Sequence, residues 1–429
     1  VTDRATCHRE NFMALASDMP KARFRPGMLL YDTRYRALTI QVLVLMLFMA
    51  GAAWLVDNTV RNLEALGKDF NFGFLWQRSG YDISQRLIEY SSDSTHGRAM
   101  LVGLLNTFLV SVIACIVATV IGVLAGVLRL SQSWIVARLM TIYVEVFRNI
   151  PLLLWILLIY AVVTESMPPP NAFRGDNPAS SMILFDSVAI TNRYTAIPDL
   201  LFSRSLGHLD FGYVSLNANV LLLIAAIIGG VLGNRALLRR ATRIQQATGQ
   251  RPTTWWQSLA LLFGPTLGVL AALGFHLGYP ELKGFNFVGG INVSNSLMAL
   301  AAALSIYTGA FIAEFVRAGI LSVSQGQAEA AYALGLRPGR TMSLVILPQA
   351  LRVIIPPMIS TYLNITKNSS LAIAVGYLDL RGTLGGITLN QTGRELEAML
   401  LMMLIYLAIS LIISAVMNVY NASVKLKER

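Results

Sequence analysis

Six stretches of this chain run for at least 20 residues without a charged side chain: Arg36 to Asp57, Arg98 to Arg129, Asp210 to Arg235, Arg251 to Glu281, Lys283 to Glu314 and Glu397 to Lys425. An α-helix rises 1.5 Å per residue, so about 20 such residues cross roughly 30 Å of hydrocarbon. Hydrophobic residues fill 55% of the 429 positions and charged residues 13%, about half the usual charged share of soluble domains. Two further segments qualify less cleanly. Arg148 to Glu165 is short and strongly apolar, and reads as continuing a helix begun near Val136. Arg352 to Asp379 is interrupted only by Lys367 and contains Pro356-Pro357, so it reads as a broken span. The expected fold is an all-α polytopic membrane protein of about eight transmembrane helices.

The net charge of +11 suggests a nucleic-acid surface until its placement is read. With eight spans both termini lie on one side of the membrane. The N-terminal tail (Arg4, Arg9, Lys21, Arg23, Arg25, Arg34, Arg36), the segment with Arg235, Arg239, Arg240, Arg243 and Arg251, the segment with Arg317, Arg337, Arg340 and Arg352, and the C-terminal Lys425, Lys427 and Arg429 all fall on that side. The segments on the other side, 58–98, 165–210, 277–293 and 379–397, mix acids and bases. Lysine and arginine mark cytoplasmic loops, so both termini are expected in the cytoplasm, and no nucleic-acid partner is expected. Cys7 falls in the tail and Cys115 inside the second span, so neither a disulfide nor a metal site is expected.

The chain divides into a basic cytoplasmic tail, 1–36; a first span with an external segment, 37–100; spans two and three, 101–166; an external segment with spans four and five, 167–289; and the last three spans, 290–429. The richest loop, 322–348, lies between spans six and seven. Ser324 and Gln327 have the spacing of a capping box, and Ala328 to Leu334 favour helix. Gly335 suits a helix end in the left-handed conformation, and Pro338 suits the first turn of a second short helix, which Pro348 then perturbs or ends. Two short helices with small side chains form a compact protrusion able to pack into another protein.

In this loop Glu329-Ala330-Ala331, Gly335 and Val345-Ile346-Leu347-Pro348 resemble the EAA loop of bacterial ABC-importer permeases, whose pattern is E-A-A, three residues, Gly, nine residues, Ile, one residue, Leu-Pro. Val345 stands where isoleucine is usual. Tyr307 to Arg317 with Gly326-Gln327, Phe147 to Leu153, Pro348 to Arg352 and Lys367 to Leu371 resemble the polar amino-acid branch of those permeases. The resemblance covers roughly 101–166 and 290–420. The extra first span and the insertion 167–289 resemble the large permeases of general L-amino acid importers of the Aap/Bzt type.

The resemblance implies a type I ABC-importer permease core in a bacterial inner membrane. Its partners would be a second related permease, an ABC ATPase dimer, a periplasmic amino-acid-binding protein, an L-amino acid substrate and membrane lipid. Gln327, Glu329, Ala330, Ala331, Gly335, Leu347 and Pro348 would dock on the ATPase. Glu329 could equally be a capping or helix-dipole carboxylate. No G-x-x-x-x-G-K-[ST] motif occurs, so no cofactor is expected on this chain; ATP and Mg would sit on the partner ATPase, and the chain itself is not expected to be an enzyme.

Charges inside spans are costly and point to function or to pairing. Glu314 and Arg317 stand three residues apart and can pair on one helix face. Glu314 with Arg317 or Arg148 could alternatively meet the ammonium and carboxylate of an amino acid. Lys367 could hold exposed carbonyls, contact substrate or snorkel to the surface, with Asn364, Ser369 and Ser370 as hydrogen-bonding neighbours. Gly122 and Gly126, spaced G-x-x-x-G, permit close helix packing. The alternative function is an ion-gradient-driven secondary amino-acid transporter, which would show inverted repeats with paired broken helices; one broken span and no repeat are seen.

Overall fold

The computed structural model describes residues 33–65, 67, 69–174, 179–210 and 215–424. The basic residues of the tail before Thr33, Cys7 and the C-terminal 425–429 lie outside the described residues. The chain divides into two compact units at Asn71/Phe72. In the first, α1 (Thr33–Ala65) is a single 33-residue helix. Arg61 pairs with Asp57 one turn away at 2.9 Å.

In the second unit, a 3₁₀ turn (Gly73–Trp76) precedes α2 (His96–Leu128). The Thr95 side chain caps α2 by accepting from the Arg98 amide. Next come α3 (Trp134–Asn149) and α4 (Leu152–Ser166), then α5 (Ala218–Thr248), α6 (Trp255–Ala272) and α7 (Asn295–Leu321). The loop after α7 holds α8 (Gln325–Ala333) and α9 (Pro338–Thr341). A π turn (Met342–Ile346) leads into α10 (Leu347–Asn368), followed by a 3₁₀ turn (Ser369–Val375), α11 (Leu380–Gly382), α12 (Leu389–Thr392) and α13 (Glu395–Val424). Among the described residues, seven helical stretches are long and apolar enough to cross a membrane, or eight if the bent pair α3–α4 counts as one span.

The core forms around α7, 67% of whose apolar window is buried. Val110 and Ala118 of α2, Ile156 of α4, Leu304 and Ile312 of α7 and Ile354 of α10 share one buried cluster. Lipid tails are as apolar as these side chains, so close packing rather than escape from water holds the helices together. The paired glycines do what their spacing predicts. A Cβ on Gly122 would lie 2.5 Å from Ile312 Cβ and 2.8 Å from the Gly309 carbonyl, and one on Gly126 would lie 2.7 Å from the Ala313 carbonyl.

Four expectations about the apolar runs and the basic segment change. The helix predicted from Val136 through Glu165 bends by 106° between Asn149 and Leu152. Pro151 sits at the break, where it has no amide to donate and forces Ile150 into an extended conformation. The span predicted to break at Pro356-Pro357 is helical through both prolines; its irregular turns lie at its ends, in the π turn and the 3₁₀ turn. The basic segment after Arg235 is not a loop, because α5 continues to Thr248 and ends at Gly249 with φ 72°. The charge-free run from Lys283 to Glu314 begins as two strands, β8 (Asn286–Val288) and β9 (Ile291–Ser294), before α7 starts.

Those strands belong to a small β region in the two segments flanking the α5–α6 hairpin. β1 (Ala189–Ile190), β2 (Tyr194–Ile197) and β9 form one antiparallel sheet, with Tyr194 opposite Ser294 and Ile197 opposite Ile291. β3 (Asp199–Phe202) pairs with β6 (Phe275–Gly278), β4 (His208–Asp210) with β5 (Ser215–Asn217), and β7 (Glu281–Lys283) with β8. This pairing gathers residues 189–210, 215–217 and 275–294 at one end of the second unit, consistent with the charge pattern that assigns 165–210 and 277–293 to one side.

The segment after α10 also departs from an external loop. Leu380 N donates to Thr107 Oγ1 at 3.1 Å, Asn106 Nδ2 to the Leu378 carbonyl at 2.9 Å, and Tyr406 OH to Asp379 Oδ2 at 3.2 Å. Nearer the start of α2, His96 hydrogen-bonds Thr388 at 3.0 Å. Thr107 stands about 16 Å along α2 from His96, so residues 378–388 lie between α2 and α13, beginning at the depth of Thr107 and returning toward the start of α2. Irregular backbone at that depth is tolerated because protein groups satisfy it.

Candidate functional site

Three features of the second unit carry chemistry: the loop α8–α9, a charge cluster on Glu314, and a polar face of α10. In the loop, Ser324 takes the N-cap position of α8, but its side chain makes no capping bond; Gln327 N donates to the Ser324 carbonyl at 3.1 Å instead. The C-terminus follows the sequence closely. Gly335 has φ 77°, its amide donates to the Tyr332 carbonyl at 2.9 Å, and Leu336 N donates to the Ala331 carbonyl at 3.1 Å, the paired bonds of a Schellman motif. Of the predicted docking residues only Ala331 is buried, 4% exposed. Gln327, Glu329, Ala330, Gly335, Leu347 and Pro348 are exposed, and beside them Tyr332, Leu334 and Leu344 expose large apolar side chains. Glu329 makes no ion pair among the described residues. The result is an apolar knob with one free carboxylate.

In the charge cluster, the structure brings Arg148, Glu314 and Arg317 together and adds Arg129. Arg317 donates to Glu314 Oε1 at 2.6 Å within α7, and Arg148 at the end of α3 lies 3.8 Å from Oε2. Arg129, the residue after α2, donates to the same Oε2. Glu314 is 23% exposed and Arg129 9%. Three guanidinium groups thus converge on one carboxylate and tie α2, α3 and α7 at one level. Arg148 also sits 5.2 Å over the Phe311 ring. Its neighbour Phe147 stacks on Trp155 at 4.1 Å, fixing the α3–α4 bend. Sequence reasoning missed Arg129. Its signal was its place as the first charge after 30 uncharged residues, where a helix end meets the membrane surface.

Asn364, Lys367, Ser369 and Ser370 do not join that cluster. Ile354 packs on Gly319, and α10 runs back along α7 from there. Lys367 therefore lies about 12 Å further along the axis than Glu314. Ser369 and Ser370 are used locally, donating to the Thr366 and Lys367 carbonyls at 2.8 and 2.7 Å. Asn364 and Lys367 are exposed, as are Arg352 and Ser360. Recurring every three or four residues or two turns apart, these four form a polar stripe on a helix of membrane-spanning length. None of them makes an ion pair or side-chain hydrogen bond among the described residues. Arg352 and Ser360 were the part of the stripe that the sequence reading left out; stepping back from Lys367 by helical turns finds Ser360.

A family model described as the binding-protein-dependent transport system inner membrane component matches residues 118–426. The chain is 63% identical to the glutamate/glutamine/aspartate/asparagine transport system permease protein BztB of Rhodobacter capsulatus, over 97% of this chain and 100% of that protein. It is 43% identical to the general L-amino acid transport system permease protein AapQ of Rhizobium johnstonii, over 95% of this chain and 96% of that protein. A solved structure titled as an amino acid ABC transporter with histidines aligns over 76% of this chain and 95% of that one, with 16% identity and a TM-score of 0.43.

Proposed function

The chain belongs to the family of binding-protein-dependent transport system inner membrane components, and from that premise we propose how it moves amino acids. It is a multi-pass inner-membrane permease subunit of an ATP-driven amino-acid importer; the family sets the ion-gradient alternative aside. Its partners in this reading are a second related permease, an ABC ATPase dimer that holds ATP and Mg, and a periplasmic binding protein. Both termini face the cytoplasm, as the lysine and arginine placement implies. The R. capsulatus relative is named for glutamate, glutamine, aspartate and asparagine, and these four are the cargo to test first.

The observation that carries the path is the polar stripe on α10. An unpaired lysine and its polar neighbours are expensive against lipid and belong against a wet cavity or a partner. A second permease facing this stripe encloses a polar path, along which Lys367 attracts carboxylates and Asn364 and Ser360 supply neutral hydrogen bonds. The knob of Tyr332 and Leu334 seats in the ATPase, with Glu329 as its charged contact. The Glu314 cluster is the latch between them. Arg148 is the longest of its three bridges, so a shift of α3 relative to α7 breaks that bridge first and leaves α2 and α7 joined.

Affinity purification of this chain from solubilised membranes, with bound proteins identified by mass spectrometry, tests the assembly. An ABC ATPase and a second EAA-containing permease are expected. A chain that emerges alone and still carries amino acids in ATP-free liposomes overturns the reading.

A further inference from the structure

We propose that the α5–α6 hairpin binds the phosphate headgroup of an anionic phospholipid at its basic end. Nothing in the import mechanism uses this hairpin. The two helices pack chiefly on each other, and α6 has no buried residue. Between Asp210 and Glu281 there is no acidic residue, and the five charged positions are Arg235, Arg239, Arg240, Arg243 and Arg251. All five are exposed and make no ion pair among the described residues.

A cleft of 560 Å³ opens between the helices at this end. Arg240, Thr254, Trp256 and Gln257 supply its polar groups, and Leu237 and Leu261 its apolar side. Levels along the hairpin fit a lipid. Gly230 lies against the Leu261 carbonyl, so Arg240 stands about 15 Å beyond that level and Trp256 about 8 Å. Trp255 and Trp256 are 71% and 55% exposed, as aromatic residues are where membrane meets water. Arg240 then reaches the height of the phosphates, and the exposed apolar flanks below accommodate acyl chains. Guanidinium groups pair with phosphate through parallel hydrogen bonds, and basic pockets between membrane helices hold anionic headgroups. With no carboxylate to neutralise it, the cleft's charge selects an anionic over a zwitterionic lipid.

The test titrates the purified full-length chain with phosphatidylglycerol, with phosphatidylcholine of the same acyl chains and with inorganic phosphate, reading bound lipid by native mass spectrometry. Phosphatidylglycerol is expected to be retained at least about tenfold more tightly than phosphatidylcholine. Arg240→Gln should weaken it about fivefold and Arg240→Gln with Arg251→Gln about 25-fold, while Arg240→Lys and Arg204→Gln at the opposite end keep the preference. Equal binding of the two lipids overturns the proposal, as does an unchanged Arg240→Gln variant. Displacement by equimolar inorganic phosphate would mean a small-anion site instead. A protein covering this face and excluding lipid in the purified complex also overturns it. The assay needs neither ATP nor transport, so its failure leaves the import reading intact.

Discussion

Arg129, the residue that closes α2, donates to the Glu314 carboxylate on α7 across 185 positions of sequence. Arg148 and Arg317 share that carboxylate, so one acidic side chain holds three helices by their ends. Glu314→Gln leaves three like charges close together around a neutral amide. The expected loss is about 2–3 kcal/mol of stability, less than for a fully buried pair, read as a lowered thermal midpoint in detergent. Arg148→Gln should cost less, because its bridge is longer. An unchanged midpoint for Glu314→Gln would mean that the cluster holds nothing.

Gly122 and Gly268 make opposite predictions from the same substitution. A methyl on Gly122 meets Ile312 and the Gly309 carbonyl, while one on Gly268 meets nothing within 4 Å. Gly122→Ala is expected to destabilise by about 1–3 kcal/mol. Gly268→Ala should be neutral or stabilise α6 by up to about 1 kcal/mol. The thermal midpoints of the two variants check this, and equal shifts would contradict the packing described.

The polar stripe on α10 predicts a loss of transport without a loss of assembly. Lys367→Met and Asn364→Leu alter exposed side chains, so the complex should purify in normal yield. Uptake should weaken about tenfold or more through the missing hydrogen bonds to substrate. Normal uptake removes the stripe from the path; lost assembly would assign it to subunit contact alone.

At the coupling loop, Gly335→Ala places a Cβ at φ 77°, costing about 1–2 kcal/mol and reorienting the knob. Glu329→Arg leaves the fold alone, since Glu329 is exposed and makes no ion pair among the described residues. Both variants should lose the ATPase on purification while the chain itself remains in the membrane. Intact assembly and transport in Glu329→Arg would take the docking role from that residue.

What the sequence showed well was set by charge and by glycine. Uncharged runs located the spans because a membrane excludes charge, and Gly335 ended α8 where its permissive backbone allowed. What it hid depended on partners remote in sequence. Asn286 to Ser294 lack charge, yet they pair as strands with Glu281–Lys283 and with Tyr194–Ile197, because apolar runs suit strands as well as helices. Pro356 and Pro357 stay helical inside a helix that packing supports, whereas Pro151 marks a bend. The site was legible in pieces. Glu314 with Arg317 followed from local spacing and Arg148 was named beside them, but Arg129 comes from another helix and needed the fold.

The most direct test of import is uptake of radiolabelled glutamate into proteoliposomes. They would carry this chain, its partner permease and the ATPase, with the binding protein supplied on the side of the external loops. Uptake is predicted to require ATP and the binding protein together, and to persist when sodium and proton gradients are collapsed. Uptake that follows an ion gradient and continues without ATP would contradict the account.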